Sequence, residues 1–235
     1  MLYTSTFMMR DGHVANLDAH LDRLREVATH IPHAVDRVRE KLREAGPGVF
    51  RPQIQVGQTT FTVDLRPSVM PSDEALVDAE GIRDQRRHPT RKGPDFGWQV
   101  RQLHTLRRSG ADAGVLIDDR GMVVSGVFSA LLFLREGAAH VSAHPRTAES
   151  ITLNAALELL TEAGVSVVEH AEGFTMAQLR GNETWLLDSV EGVRKATGWL
   201  EYGSALPPRT GNRPRMGAPT HREINERMWE LAGTV

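Results

Sequence analysis

Apolar and polar positions along this chain repeat with two different periods, and the switches between them mark its elements. Residues 2–9 are apolar and threonine-rich, and Arg10-Asp11-Gly12-His13 supplies a turn, which predicts a strand, a turn and a second short strand. The period then lengthens. Leu17, Leu21, Leu24 and Ala28 recur at spacings of four, three and four, so they share one helical face while Asp18 and Asp22 take the other. Pro32 ends that helix. A second helix is predicted over 34–45, with Val35, Val38, Leu42 and Ala45 as its apolar stripe and Gly46-Pro47-Gly48 as its stop. Residues 53–57 and 60–65 alternate as β-branched strands do, and the prolines at 67 and 71 break the pattern. The break predicts a domain boundary, with a small N-terminal α/β domain over 1–71 and a larger sheet-rich domain over 72–235.

Beyond the boundary the pattern predicts a strand at 75–82, a basic loop at 83–92, a helix at 96–109 closed by Gly110, and short strands at 115–118, 122–124 and 129–134, with Asp119-Arg120-Gly121 as a hairpin turn. Ser150 is placed to cap a helix over 151–163, and Gly164 closes it before a strand at 165–169. A strand at 183–187, an extended or mobile segment rich in Pro, Gly and Arg at 203–219, and a last amphipathic helix at 222–231 complete the chain. The fold class is therefore α/β or α+β, in two lobes.

Composition narrows the function. With 28 Lys plus Arg against 30 Asp plus Glu, the net charge of -2 gives no electrostatic case for nucleic acid or an anionic membrane surface. No run approaches the ~18 apolar residues of a membrane span, and the start of the chain lacks the pattern of an export signal, so a cytoplasmic protein is expected. Absence of Cys removes thiolate nucleophiles and thiolate metal sites. Only three of the 28 basic residues are lysines, Lys41, Lys92 and Lys195, and an amine able to lose its proton must be one of them, since Arg stays charged. The histidines lack the helical and acidic context of a zinc motif, and no GxSxG elbow, P-loop or dinucleotide-binding glycine pattern is present.

Four stretches point further. After the Asp11-Gly12 turn comes Asp18-Ala19-His20-Leu21-Asp22-Arg23-Leu24. Lys92-Gly93-Pro94-Asp95 follows, with Gly110 eighteen residues on. Asp118-Asp119-Arg120-Gly121 leads to Ser125-Gly126-Val127-Phe128-Ser129-Ala130-Leu131, and Ser150-Ile151-Thr152 opens a helix. In this order and spacing they resemble the fold-type IV pyridoxal-phosphate (PLP) enzymes, which include branched-chain and D-amino-acid aminotransferases and aminodeoxychorismate lyase. A further block, 183–194, resembles that family's strand-turn-helix near the C-terminus.

The resemblance implies a D-amino-acid-aminotransferase-like fold and a homodimer whose active site is completed by the partner chain. It makes Lys92 the amine that holds PLP through an imine and then moves protons. It gives the phosphate to Arg23, to Ile151 and Thr152 at a helix N-terminus, and to Ser189 and Val190. Arg86, Arg87 and Arg91 are candidates for depressing the lysine's pKa. Ser125 stands where the family usually carries a glutamate on the pyridine nitrogen, Ala130 replaces a frequent Asn, and Met8 lies near a frequent Arg. A neutral hydroxyl leaves that nitrogen unprotonated, which weakens the ring as an electron sink. Three readings follow: a class IV aminotransferase acting on a small amino acid or an amino-chorismate-like acid; a lyase of the aminodeoxychorismate type that releases pyruvate; and a member that has lost PLP and binds or catalyses without it.

Overall fold

The computed structural model describes residues 3–208 and 217–235. Short alternating stretches at the start form β1 (Tyr3–Thr6), β2 (Met9–Arg10) and β3 (His13–Val14), followed by helices α1 (Leu17–Val27) and α2 (Ala34–Arg43) and strands β4 (Val49–Val56) and β5 (Phe61–Pro67). β4 is the hub. It pairs antiparallel with β1 through residues 53–56, with β2 through Val49 and Phe50, and with β5 through residues 50–56. Its alternation decides which face is core: Ile54 and Val56 join Leu17, Leu21, Leu24, Val38 and Leu42 beneath the two helices, with Phe61, Val63 and Leu65 of β5 packed against them. Arg51, Gln53, Asp64 and Arg66 therefore fall on the opposite face.

β6 (Glu74–Arg83), α3 (Phe96–Arg108), β7 (Ala113–Ile117), β8 (Val123–Gly126), β9 (Ala130–Arg135), β10 (Ala138–Ser142), α4 (Ile151–Glu162), β11 (Ser166–His170), α5 (Met176–Gly181), β12 (Glu183–Asp188), β13 (Gly192–Glu201) and β14 (Ser204–Leu206) follow. They build a nine-stranded mixed sheet in the order β11-β10-β9-β12-β13-β6-β7-β8, with β14 on β13. Its central strands are covered on both faces: Leu131, Phe133 and Leu186 pack one way with Trp199, and Leu132, Leu134 and Leu187 the other with Trp185. The chain closes with α6 (His221–Glu230) and β15 (Gly233–Thr234), and β15 returns to pair with β3 in the first sheet.

The block 183–194 departs from the expected strand, turn and helix. It is a β-hairpin, β12 to β13, with Asp188 facing Gly192. The Asp188 carboxylate accepts the N–H groups of Val190 and Glu191, at 2.9 and 2.8 Å, and Gly192 takes a left-handed φ of 70°, which reverses the chain within three residues. Residues 209–216 of the segment expected to be extended or mobile lie outside the described residues.

Candidate active site

Lys92 sits in the loop that carries the chain from β6 to α3, and the loop is pinned along its length. Asp95 accepts the backbone N–H groups of Arg87 and His88, at 3.0 and 2.7 Å. The carbonyl of Lys92 accepts the N–H of Thr4 from β1 at 3.3 Å, so the lysine is fixed against the first sheet, where it lines a cavity. Gly93 lies close against the β1 backbone with φ 125°, a conformation other residues avoid. Burial lowers the pKa of Lys92, and the positive charge of Arg23 lowers it further, while Asp188 and Glu149 pull the other way. Arg86, Arg87 and Arg91 are not its causes. They neighbour Lys92 in sequence, but the guanidinium that acts on it comes from α1.

Arg23 shares the inner side of α1 with His20 because the two are three residues apart. Its guanidinium pairs with Glu149 at 2.7 Å, on the approach to α4, rather than with Asp22, which pairs with Arg25. His20 is buried, with Nδ1 3.5 Å from the Ser5 hydroxyl and Nε2 without a protein partner. Burial lowers its pKa to about 3, with Lys92 and Arg23 adding to the effect, so its imidazole is neutral near neutral pH.

Opposite Arg23 lies the start of α4. The Ser150 hydroxyl caps it by accepting the Leu153 N–H at 3.3 Å. The amides of Ile151 and Thr152 belong to the first turn, which has no intrahelical acceptor for them. The Thr152 and Ser189 hydroxyls are hydrogen-bonded at 3.0 Å, and the Ser189 carbonyl accepts the Met8 N–H at 2.8 Å. The Val190 amide is turned onto Asp188 instead, as the hairpin requires.

At another wall, Ser125 is the penultimate residue of β8. Its hydroxyl donates to the Gly126 carbonyl at 3.0 Å and accepts from Arg86 Nη2 at 3.5 Å. Arg86 is itself buried, held by both oxygens of Asp84 and donating to the carbonyls of Pro89 and Arg146; the Arg146 guanidinium binds Asp84 as well. Two guanidiniums thus share one carboxylate. Burial alone raises the pKa of Asp84, but hydrogen bonds from Arg86 and Arg146 outweigh it and hold the carboxyl at about 2.

One cavity of about 400 Å³ joins these groups. Arg23, Lys92, Ser125, Ile151, Ser189 and Val190 all line it, and Thr152 reaches it through Ser189. That volume lies in the range of small-molecule sites. Sequence reasoning named these seven residues and missed His20, which lay inside a quoted motif, and the Asp84, Arg86 and Arg146 cluster, which joins residues about sixty positions apart.

A PLP-sized group meets matching chemistry here. A helix N-terminus, a guanidinium and a hydroxyl pair suit a phosphate, and a depressed lysine suits a carbonyl carbon. The wall at Ser125 offers a hydroxyl backed by the Arg86 guanidinium rather than a carboxylate.

Solved structures share the fold. A hypothetical aminotransferase from Mycobacterium tuberculosis, in a form with alpha-ketoglutarate and PMP bound, superposes with a TM-score of 0.72 at 16% identity, covering 97% of this chain and 88% of that one. A fold IV transaminase from Curtobacterium pusillum gives 0.73 at 17% identity, covering 97% and 84%. A structure with the provisional description 4-amino-4-deoxychorismate lyase gives 0.71 at 22% identity, covering 97% and 89%. No curated protein sequence matches the chain. The family model for class IV amino-transferases matches residues 2–199, which spans both sheets, the lysine loop and the α4 terminus. With that match over most of its length, the chain belongs to the class IV amino-transferase family.

Proposed function

We propose that this enzyme binds PLP and exchanges the amino group of a small amino acid or an amino-chorismate-like acid. The observation that carries the reading is the convergence, on one cavity, of a lysine of lowered pKa with Arg23, the α4 N-terminus and the Thr152–Ser189 hydroxyl pair. Arg23, the Ile151 and Thr152 amides and the Ser189 hydroxyl would hold the phosphate; Val190 shapes the turn, its amide already committed to Asp188. Ser125 would face the pyridine nitrogen. When bound, the cofactor supplies a carbonyl carbon that captures primary amines and a ring that withdraws electrons from the bond being broken.

The protein's own part is proton handling and positioning. Lys92 Nζ, whose pKa is lowered by burial and by Arg23, accepts the proton lost from the substrate's α-carbon and returns it elsewhere. Neutral His20 adds no charge to the lysine's surroundings. The Thr4 N–H and the Gly93 contact fix where that amine begins.

Ser125 and Arg86 favour a second reading. Positive charge behind a neutral hydroxyl disfavours a protonated ring nitrogen, so chemistry that expels a leaving group soon after proton loss is helped relative to amino exchange. That is the lyase reading, with pyruvate as the group released. The family resemblance extends the proposal to a homodimer in the cytoplasm; among the described residues no helix is long and apolar enough to cross a membrane.

Purified protein mixed with PLP should absorb at about 410 to 430 nm and lose that band in Lys92→Ala. A protein that stays colourless with added PLP refutes both readings and leaves the cofactor-free one. If the band is present, oxo-acid-dependent amine exchange against pyruvate release separates transferase from lyase.

A further inference from the structure

One ring nitrogen at the cavity has nothing to bond to. His20 lines the cavity and is 4% exposed, and its Nε2 has no protein partner. A buried polar atom in that state is costly, and native folds rarely keep one without a use. The rest of the ring is fixed. It leans on Phe7 with centroids 4.7 Å apart, and Nδ1 lies 3.5 Å from the Ser5 hydroxyl of β1, which also reaches the Tyr3 phenol.

A neutral imidazole carries its proton on one nitrogen and a lone pair on the other, and the groups around His20 decide which. Arg23, one turn along α1, and Lys92, on the loop that meets β1, are both positive and both act on the ring, whereas no carboxylate does. At the other edge, the Ser5 hydroxyl gives its hydrogen bond to Tyr3, opposing the rise in the phenol's pKa that burial causes, and so meets Nδ1 with its oxygen. The proton therefore belongs on Nδ1, which leaves Nε2 as an acceptor.

The matching donor is Lys92. Asp188 and Glu149 act on it through charge alone, and its amine has no hydrogen-bond or ion-pair partner among the described residues. Arg23, the other cation, is already taken by the Glu149 carboxylate at 2.7 Å and by the Glu149 carbonyl at 3.5 Å. The cavity thus holds one buried acceptor without a donor and one amine without an acceptor, and the ring feels the charge of that amine. A lysine stem has the torsional freedom to close such a contact while the ring stays in place.

We infer that His20 is a positioning residue for Lys92, its Nε2 lone pair accepting a hydrogen bond from the lysine amine whenever that amine is free. This rests on the reading of Lys92 given above and adds the group that aims it. A neutral amine that donates one N–H keeps its own lone pair, so the contact orients the nucleophile without consuming it. A carboxylate in the same place would favour the ammonium and work against attack, which a neutral imidazole does far less.

Competitive acetylation of the cofactor-free full chain, quantified by mass spectrometry on the peptide carrying Lys92, gives the titration midpoint of its amine. An acceptor stabilises the ammonium more than the neutral amine, so His20→Phe should lower that midpoint by about one pH unit, a tenfold change in proton affinity. His20→Gln, which keeps an acceptor near the place of Nε2, should stay within about 0.3 unit of wild type. A space-filling role predicts the opposite sign, because a loosened pocket admits water and lets the midpoint climb toward the ordinary lysine value. A midpoint unchanged or raised in His20→Phe therefore overturns the inference, as does a His20→Gln protein displaced as far as His20→Phe. Nitrogen-15 NMR of the unaltered chain, with His20 identified by its contact to the Phe7 ring, should show Nδ1 protonated and Nε2 bare, and the Nε2 signal should move in Lys92→Ala. The reverse tautomer, or a stationary signal, also overturns it. None of these measurements uses the cofactor. A shifted midpoint in a protein that stays colourless with PLP keeps the His20 contact and refutes the cofactor reading, and a yellow protein with an unshifted midpoint does the reverse.

Discussion

Replacing Gly93 by alanine tests whether strand β1 sets the position of Lys92. A Cβ at residue 93 would stand 2.7 Å from both the Thr4 nitrogen and the Tyr3 Cα, and 2.8 Å from the Tyr3 carbonyl carbon. All three are backbone atoms of a strand paired to β4 over four residues, so no side-chain rotation relieves the overlap. The backbone at 93, with φ 125°, adds a conformational penalty of about 1–3 kcal/mol for any residue with a side chain. Withdrawing the loop from β1 removes the overlap but breaks the Thr4 to Lys92 hydrogen bond, a further ~1 kcal/mol. The expected loss is about 3 kcal/mol of folding free energy, accompanied by a weaker cofactor band because Lys92 moves with the loop. Gly97 is the matched control. It lies in the first turn of α3, its nearest foreign atom would be 3.8 Å from an added Cβ, and alanine there should be neutral or stabilise by up to ~1 kcal/mol. Urea unfolding followed by tryptophan fluorescence measures the first quantity, and absorbance of PLP-treated protein the second. A Gly93→Ala protein within ~1 kcal/mol of wild type with an unchanged band would refute the claim that β1 fixes the lysine.

Three further outcomes follow from the same contacts. His20 is held to a pKa of about 3 by burial and by neighbouring positive charge, so the unfolded chain takes up a proton below its ordinary value near 6.5 and the folded chain does not. Its contribution is complete above that value and falls as pH drops toward 3, by up to ~5 kcal/mol. His20→Gln should flatten the decline of Tm between pH 7 and 5, and an identical slope in both proteins would refute this. Asp84→Asn leaves the buried Arg86 guanidinium and the half-buried Arg146 without their carboxylate and should cost about 3 kcal/mol by denaturant unfolding; a loss below ~1 kcal/mol would show the cluster to be relaxed by water. Ser125→Glu places a carboxylate beside Arg86 and should raise amino exchange by about tenfold in stably folded protein, roughly 1.4 kcal/mol off the barrier; an equal or lower rate counts against the role given to the ring-nitrogen wall.

Local rules carried much of the fold. The spacing of Leu17, Leu21 and Leu24 gave α1, and Ser150 gave the start of α4, because each signal lies within a turn of what it specifies. Elements set by tertiary pairing were not legible in the same way. Ala138–Ser142 has little β-propensity of its own and becomes β10 through its ladders with β9 and β11. Residues 192–194, expected to enter a helix, instead open the strand Gly192–Glu201 because Asp188 closes a tight hairpin and β6 offers a parallel partner. The short helix α5 was readable and passed over: Thr175 and Gln178 form a capping box three residues apart. At the site, the motif order singled out Lys92, but its electrostatic surroundings were not legible, since Arg23 meets Glu149 across 126 positions of sequence.

The chemistry assigned to Lys92 depends on the seam between the two sheets more than on either sheet alone. Three ties cross that seam close to the cleft: the Thr4 N–H to the Lys92 carbonyl, the Met8 N–H to the Ser189 carbonyl, and Arg23 to Glu149. The first positions the lysine, the second the hydroxyl pair with Thr152, and the third the guanidinium against the α4 terminus. All three begin within the first 23 residues, on β1, just after it, or on the helix that packs beneath its sheet. A lowered lysine pKa needs burial, and burial needs the first sheet and α1 in place, so the same contacts that join the two sheets also lower the pKa of the amine. Loosening the seam should therefore raise the lysine's pKa and open the cavity at the α4 terminus together, whereas a change confined to Ser125 and Arg86 alters only the charge at the opposite wall and leaves the seam as it was.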